Sequence, residues 1–321
     1  MELNQIYAPV SADLIKVEES LQCVCDVEYE WLKQLLNHSL GASGKRIRPA
    51  LTLLSGQFYD YRLPFLLPMA TSIELMHTAT LVHDDAIDKA DTRRGRTTIF
   101  KLWGTEAAVL LGDYLFAQAG VKVSDTRMVR AIRLFSQTLM TISGGELNQA
   151  KNSFNLQQTR DDYYKRIFGK TASLFCLSTE SGGLLSHAPD SSIRNLRDYG
   201  RDLGLAFQIV DDILDFIGTE KELGKPAGSD LKQGTFTLPA MMLVEKYPSD
   251  NPIKRLFSDR NLTQNISQAI EQIRNSSIVD ECYNIAKDYC NLACSHIKGL
   301  PDIEAKNSFI GLTEFVVNRR I

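Results

Sequence analysis

The sequence predicts an all-α fold, and three observations carry that prediction. No proline interrupts the chain between Pro68 and Pro189, so every residue between them can donate a helical backbone hydrogen bond. Apolar residues recur at helical spacing, as in Ala107 to Leu111 running on to Leu115 and Phe116, and in Leu205, Ile209, Ile213 and Phe216. No run alternates apolar and polar residues with the β-branched enrichment and hairpin turns that strands require.

Taken in order, the helical stretches are separated by few breaks. These fall at Gly41-Ala42-Ser43-Gly44, in the polar run Lys89 to Thr98, and between Gly218 and Gly234. No linker composition divides the chain and no segment repeats at a fixed period, so residues 1–321 read as one domain. The apolar run Leu63 to Ala70 contains Pro64 and Pro68 and is short, and no stretch approaches the ~18 apolar residues that cross a bilayer. The start, Met1-Glu2-Leu3-Asn4-Gln5, lacks the basic and apolar character of a secretory signal. The chain carries 36 basic and 39 acidic residues, a net charge of −3, which gives no electrostatic basis for binding nucleic acid or an anionic membrane surface. Cys290, Cys294 and His296 could share a helical face, but no fourth ligand has the spacing of a zinc site. Free thiols in a reducing compartment, the cytoplasm, account better for the six cysteines.

Two acidic clusters share one spacing: Asp84-Asp85-Ala86-Ile87-Asp88 and Asp211-Asp212-Ile213-Leu214-Asp215. At about 100° per residue, positions i and i+4 lie on one helical face, so Asp84 projects with Asp88 and Asp211 with Asp215. Aligned carboxylates repel by about 0.2–0.5 kcal/mol per pair on an exposed helix, and apolar surroundings raise that cost. A bound cation removes it. Oxygen-only ligands suit a hard ion such as Mg²⁺, which keeps several waters and is completed by substrate phosphates. One such cluster reads equally well as a solvated acidic face, but two on apolar helices do not. Asp161-Asp162 is an internal control: it has no third aspartate in place and sits among Tyr163, Tyr164, Lys165 and Arg166, as surface does.

Basic residues come in two short groups. Gly44-Lys45-Arg46-Ile47-Arg48-Pro49 puts Lys45 and Arg48 on one face if a helix begins there, and Arg93-Arg94-Gly95-Arg96 follows the first acidic cluster. Arginine forks and lysine ammonium groups are what a diphosphate needs, and two groups imply two anionic sites or one long one. Surface charge is the plainer alternative. His77 stands two helical turns before Asp84 on the same face, where a lone histidine is as readily a core residue as a ligand. Gln208 precedes Asp211 by one turn and has the same standing.

Together these residues resemble the trans-isoprenyl diphosphate synthase (polyprenyl synthetase) family, most closely its medium- and long-chain members. The matching text runs through Gly44-Lys45-Arg46-Ile47-Arg48-Pro49, His77 to Asp88, Asp91-Thr92-Arg93-Arg94-Gly95 and Gly112-Asp113-Tyr114-Leu115. It continues through Gly145-Glu146-Leu147-Asn148-Gln149, Lys170-Thr171-Ala172, Phe207 to Asp215 and Gly224 to Asp230. The resemblance implies a homodimeric bundle of long antiparallel helices around a central cavity. It implies Mg²⁺ held by Asp84, Asp88, Asp211 and Asp215 against an allylic diphosphate. Arg93, Lys170 and Lys225 would neutralise that leaving group with Thr171 and Gln208 nearby, while Lys45, Arg48, His77 and Arg94 would bind isopentenyl diphosphate. Two departures stand out. Thr235 occupies a place where many relatives carry lysine, and Val317-Asn318-Arg319-Arg320-Ile321 resembles their basic tail only loosely.

The implied reaction is head-to-tail condensation of isopentenyl diphosphate with an allylic diphosphate, without nucleic acid or a transmembrane segment and with transient membrane contact at product release. Product length follows from what lies beneath Asp84. Position 79 is roughly 7–8 Å down the helix axis, and spacing picks Thr80 as the residue facing the stripe. In the family the residue five before the first aspartate is a gate; here it is Ala79, and neither it nor Thr80 can close a passage. That implies a product of about thirty to fifty carbons, of the kind used for quinone side chains. Geranylgeranyl diphosphate is the alternative if Met76 forms a higher floor. Three rival readings are weaker. A class I terpene cyclase needs one diphosphate site, a non-catalytic subunit tends to lose its aspartates, and a helical scaffold does not explain the ordered motifs.

Overall fold

The computed structural model describes residues 2–41, 44–93, 95–219, 226–249, 251–260 and 264–319. The first part of the chain forms α1 (Leu3–Ile6), α2 (Ser11–Cys23), α3 (Glu30–Leu40) and α4 (Ile47–Gly56). The long helices follow: α5 (Leu63–Ile87), α6 (Ile99–Ser124) and α7 (Val129–Lys151). Next come α8 (Arg160–Ile167), a π-helical turn (Phe168–Ala172), α9 (Ser173–Leu185) and α10 (Asp190–Ile217). The remainder forms α11 (Ser229–Lys232), α12 (Leu238–Lys246), α13 (Pro252–Ser258), α14 (Gln264–Arg274), α15 (Ile278–His296) and α16 (Glu304–Asn318).

The all-α expectation holds, with one small exception. The polar run after Asp88 folds as a two-residue ladder, β1 (Thr92–Arg93) on β2 (Arg96–Thr97), closed by Gly95 at φ 74°. Gly104, at φ 87°, breaks the helical geometry near the start of α6.

The run Leu63 to Ala70 is not a short segment of its own but the opening of α5. Pro64 lies in the first turn, where its missing N–H costs nothing, and Pro68 lies inside the helix. At 25 residues, α5 is long and apolar enough to cross a bilayer by length and composition, contrary to the sequence expectation. Here 67% of its most apolar stretch is covered by the rest of the protein, because α4, α6 and α9 pack around it. Met69, Ile73, Met76 and Ala79 are fully buried, and side chains of the larger kind each contribute about 1.5–3 kcal/mol when withdrawn from water.

A second packing feature seats the π-helical turn. At Gly204 on α10 an added Cβ would lie 2.6 Å from the Ala172 Cα, and at Gly200 one would lie 2.7 Å from the Phe175 carbonyl oxygen. Glycine at both places lets α10 press directly on the turn and on α9.

Candidate active site

Both acidic clusters lie at helix C-termini. Asp84 is in the last turn of α5, and Asp88 is its cap residue, whose N–H donates to the Asp84 carbonyl at 2.8 Å. Asp211, Asp212 and Asp215 fall in the last two turns of α10. Carboxylates at the negative end of a helix macrodipole are disfavoured beyond their mutual repulsion, so both ends call for cations.

Lys170, in the π-helical turn, supplies one. Its Nζ lies 2.8 Å from Glu146 Oε1 on α7 and 3.6 Å from Asp84 Oδ2. Burial works against the ammonium charge, but Asp84, Glu146 and Asp88 outweigh it and raise its pKa. Desolvation pushes Glu146 and Asp88 up, with Lys170 pulling each back. The next residue, Thr171, turns to the other helix and donates to Gln208 Oε1 at 2.6 Å. Gln233, beyond α11, hydrogen-bonds Asp88. The π-helical turn thus links the acidic end of α5 to α10, and Gln233 ties the segment after α11 to the same end of α5.

The three aspartates of each cluster do different things. Asp85 is buried and takes the Arg93 Nε at 2.5 Å; burial raises its pKa and Arg93 lowers it. Arg93 is thus tied to the acidic helix through its middle carboxylate. Asp212 is buried too, accepting from Tyr163 Oη and Gln208 Nε2, both at 2.8 Å. Burial, with Asp230 adding, pushes its carboxyl up to about 7 against those two hydrogen bonds. Asp211 stays half-exposed, with the Arg319 guanidinium on its carboxylate.

Asp215 departs from expectation. It is 2% exposed, and its carboxylate accepts from Ser229 Oγ at 2.9 Å and the Asp230 N–H at 3.3 Å. It does not open to the cleft with Asp211 but serves the N-terminus of α11, where a carboxylate satisfies unpaired N–H groups. These two contacts tie the end of α10 to α11.

The first basic group sits against aromatic rings. Lys45 Nζ lies 5.4 Å from the Phe315 centroid and the Arg48 guanidinium 4.9 Å from that of Phe175. Phe175 packs 5.3 Å from Phe207, over which Arg319 stacks at 4.3 Å, and burial lowers Arg319 to about 10. Phe207 precedes Gln208, so this row of cations and rings borders the second acidic helix. His77 is half-buried on α5. Arg94 and Lys225 lie outside the described residues.

Below Asp84 on α5, Thr80 is the partly exposed residue, while Ala79 and Met76 are fully buried. Cys290 and Cys294 both point at Thr313, at 3.6 and 3.3 Å, whereas His296 bonds the buried Asp202 at 2.9 Å. They face different partners and build no zinc site.

Sequence reasoning gave no role to Glu146, Asp85, Asp212, Tyr163 or Gln233. Only the middle aspartates carried a local signal, since a third carboxylate between the i and i+4 positions must point to a different side. The carboxylates of Asp84, Asp88 and Asp211 are hard oxygen donors and fit a hard divalent cation. Among the described residues no three such side chains form a ready cage, and Mg²⁺ needs none where phosphate oxygens and water complete it.

The sequence pattern of the polyprenyl synthetase family matches residues 29–273. Heptaprenyl diphosphate synthase component 2 of Geobacillus stearothermophilus is 37% identical over 322 residues, covering 99% of each chain. The crystal structure of heptaprenyl diphosphate synthase from Staphylococcus aureus superposes with a TM-score of 0.92 at 36% identity, covering 100% of this chain and 99% of that one. The polyprenyl synthase of Caulobacter crescentus CB15, complexed with calcium and isoprenyl diphosphate, gives 0.95 at 30% identity, covering 100% and 98%.

Tyr163→Phe removes one of the two donors on buried Asp212 without changing packing volume. It should destabilise the protein by about 1–3 kcal/mol, read as a lower denaturant midpoint at unchanged slope. An unchanged midpoint would show that the hydrogen bond contributes nothing.

Proposed function

The chain belongs to the polyprenyl synthetase family and is a prenyltransferase, and from that premise we propose that it extends an allylic diphosphate with isopentenyl diphosphate to a medium- or long-chain trans-polyprenyl diphosphate. The observation that carries this reading is the turn holding Lys170 on Asp84 and Glu146 while Thr171 holds Gln208, since it supports one cleft with acid on two sides. We read residues 1–321 as a single catalytic domain. The six free cysteines support the cytoplasm as its compartment.

In this reading Asp84, Asp88 and Asp211 hold Mg²⁺ at the allylic diphosphate, as the relative complexed with calcium and isoprenyl diphosphate encourages. Bound magnesium supplies Lewis-acid neutralisation of the leaving group. Lys170 adds its ammonium, with Arg93 and Lys225 on the same diphosphate and Thr171 and Gln208 nearby. Lys45, Arg48, His77 and Arg94 hold isopentenyl diphosphate with its double bond in reach of the reacting carbon. The allylic C–O bond breaks with its electron pair leaving on the diphosphate. The isopentenyl double bond provides the pair for the new C–C bond, and a proton then passes to the released diphosphate. Apolar walls along α5 keep water from the cation.

Product length rests on Ala79 and Thr80, neither of which fills a passage, and on relatives named as heptaprenyl diphosphate synthases. We further infer a homodimer. Leu110 and Val121 on α6 and Met140 and Leu147 on α7 are large apolar side chains left exposed, a face that marks association. The name "component 2" on one relative favours a second reading, in which a different polypeptide covers that face.

Three outcomes test this. Asp84→Ala or Asp88→Ala should cut turnover by orders of magnitude at saturating Mg²⁺ with helicity unchanged; wild-type turnover in either would overturn the metal assignment. With Mg²⁺, farnesyl diphosphate and isopentenyl diphosphate, product mass should exceed that of geranylgeranyl diphosphate, and Ala79→Tyr should shorten the product while turnover persists. A wild type that stops at geranylgeranyl diphosphate, or an unchanged distribution in the variant, defeats the length argument. Sedimentation should give twice the 36.0 kDa chain mass; a single 36.0 kDa species at micromolar concentration rejects the homodimer.

A further inference from the structure

Three cations stand together in Lys45, Arg46 and Arg48, and the structure treats the middle one differently. Arg46 caps the start of α4 with φ 48°, a left-handed backbone that a residue with a Cβ adopts only when its surroundings hold it there. Its guanidinium is 15% exposed and gripped from two sides. Nε bonds Glu18 Oε1, one terminal nitrogen reaches Glu18 Oε2 at 3.0 Å, and the other reaches Glu74 Oε1 at 2.7 Å. Glu74 is itself buried on α5, three residues before His77. The preceding residue is held as well: Tyr7 Oη donates to the Lys45 carbonyl at 2.9 Å.

We propose that Arg46 is a positioning residue, whose fork on Glu18 and Glu74 pins the segment so that Lys45 and Arg48 meet one diphosphate beside His77. The inference rests on reading Lys45, Arg48 and His77 as the isopentenyl diphosphate site. The charge of Arg46 is spent internally, since two carboxylates surround it, so the binding charge is that of Lys45 and Arg48. Geometry explains why arginine is needed. A lysine could neutralise Glu74 but could not span two carboxylates in a fixed plane, so charge would survive while orientation is lost. Removing the cation outright would leave Glu74 buried and uncompensated, a folding defect rather than a binding one.

The test therefore uses Arg46→Lys, with Glu18→Gln loosening the fork from its more exposed side and Lys45→Ala as reference. Isopentenyl diphosphate and allylic saturation curves and thermal midpoints are measured on each purified variant. Arg46→Lys should raise the KM for isopentenyl diphosphate about tenfold, with the allylic KM and the kcat at saturation within about twofold. Glu18→Gln should shift the same constant about two- to fivefold, and it carries the test if Arg46→Lys does not fold. Both KM values rising together, or neither moving while Lys45→Ala weakens isopentenyl diphosphate, overturns the positioning role alone. An unchanged isopentenyl diphosphate KM in Lys45→Ala overturns the site reading on which it rests.

Discussion

Two long helices, α5 and α10, end in aspartates, and both ends meet in one cleft. Helix dipole, like charge and partial desolvation all act against those carboxylates. The molecule answers with the ammonium of Lys170, set between Asp84 and Glu146. That position depends on a π-helical turn, which adds a residue to the turn and aims neighbouring side chains in different directions. Lys170 faces α5 and α7 while Thr171 faces α10, and the glycines of α10 allow the turn to sit close enough for both. Chemistry and packing here are one requirement.

The same constraint sorts the carboxylates. Asp85 and Asp212, the middle members, are buried and fully engaged, one by Arg93 and the other by Tyr163 and Gln208. They convert the charge of a cluster into rigidity of its neighbours, which keeps Asp84, Asp88 and Asp211 in place. Asp215, which shares the helical face of Asp211 by spacing, is spent on α11.

On the cationic side the separation recurs. Lys45 and Arg48 lie against Phe315 and Phe175, each with its cation over a ring face. Arg46, between them in sequence, is turned inward onto two glutamates. Arg319 stacks on Phe207 and meets Asp211, closing the row at the second acidic helix.

Local spacing was enough for the sequence to determine a great deal. Helical period and the lack of interior proline specified the helices, and the i, i+4 aspartates together with Lys45 and Arg48 specified a polyanion and its counter-cation. These depend on a single helix axis, which the chain sets by itself. The extent of α5 was less legible, because Pro64 and Pro68 read as a break yet lie in its opening turns. Only the tertiary structure decided where like residues are directed: Asp215 is buried onto α11 while Asp211 stays half-exposed under Arg319, and Arg46 turns onto two glutamates while Lys45 lies against Phe315. It also buries Ala79 fully and leaves Thr80 partly exposed, as the helical spacing of Thr80 indicates. The reason is electrostatic. Whether a charge is neutralised depends on partners remote in the chain, as Glu18 and Glu74 each lie 28 residues from Arg46, and no local period encodes which of them folding will bring near.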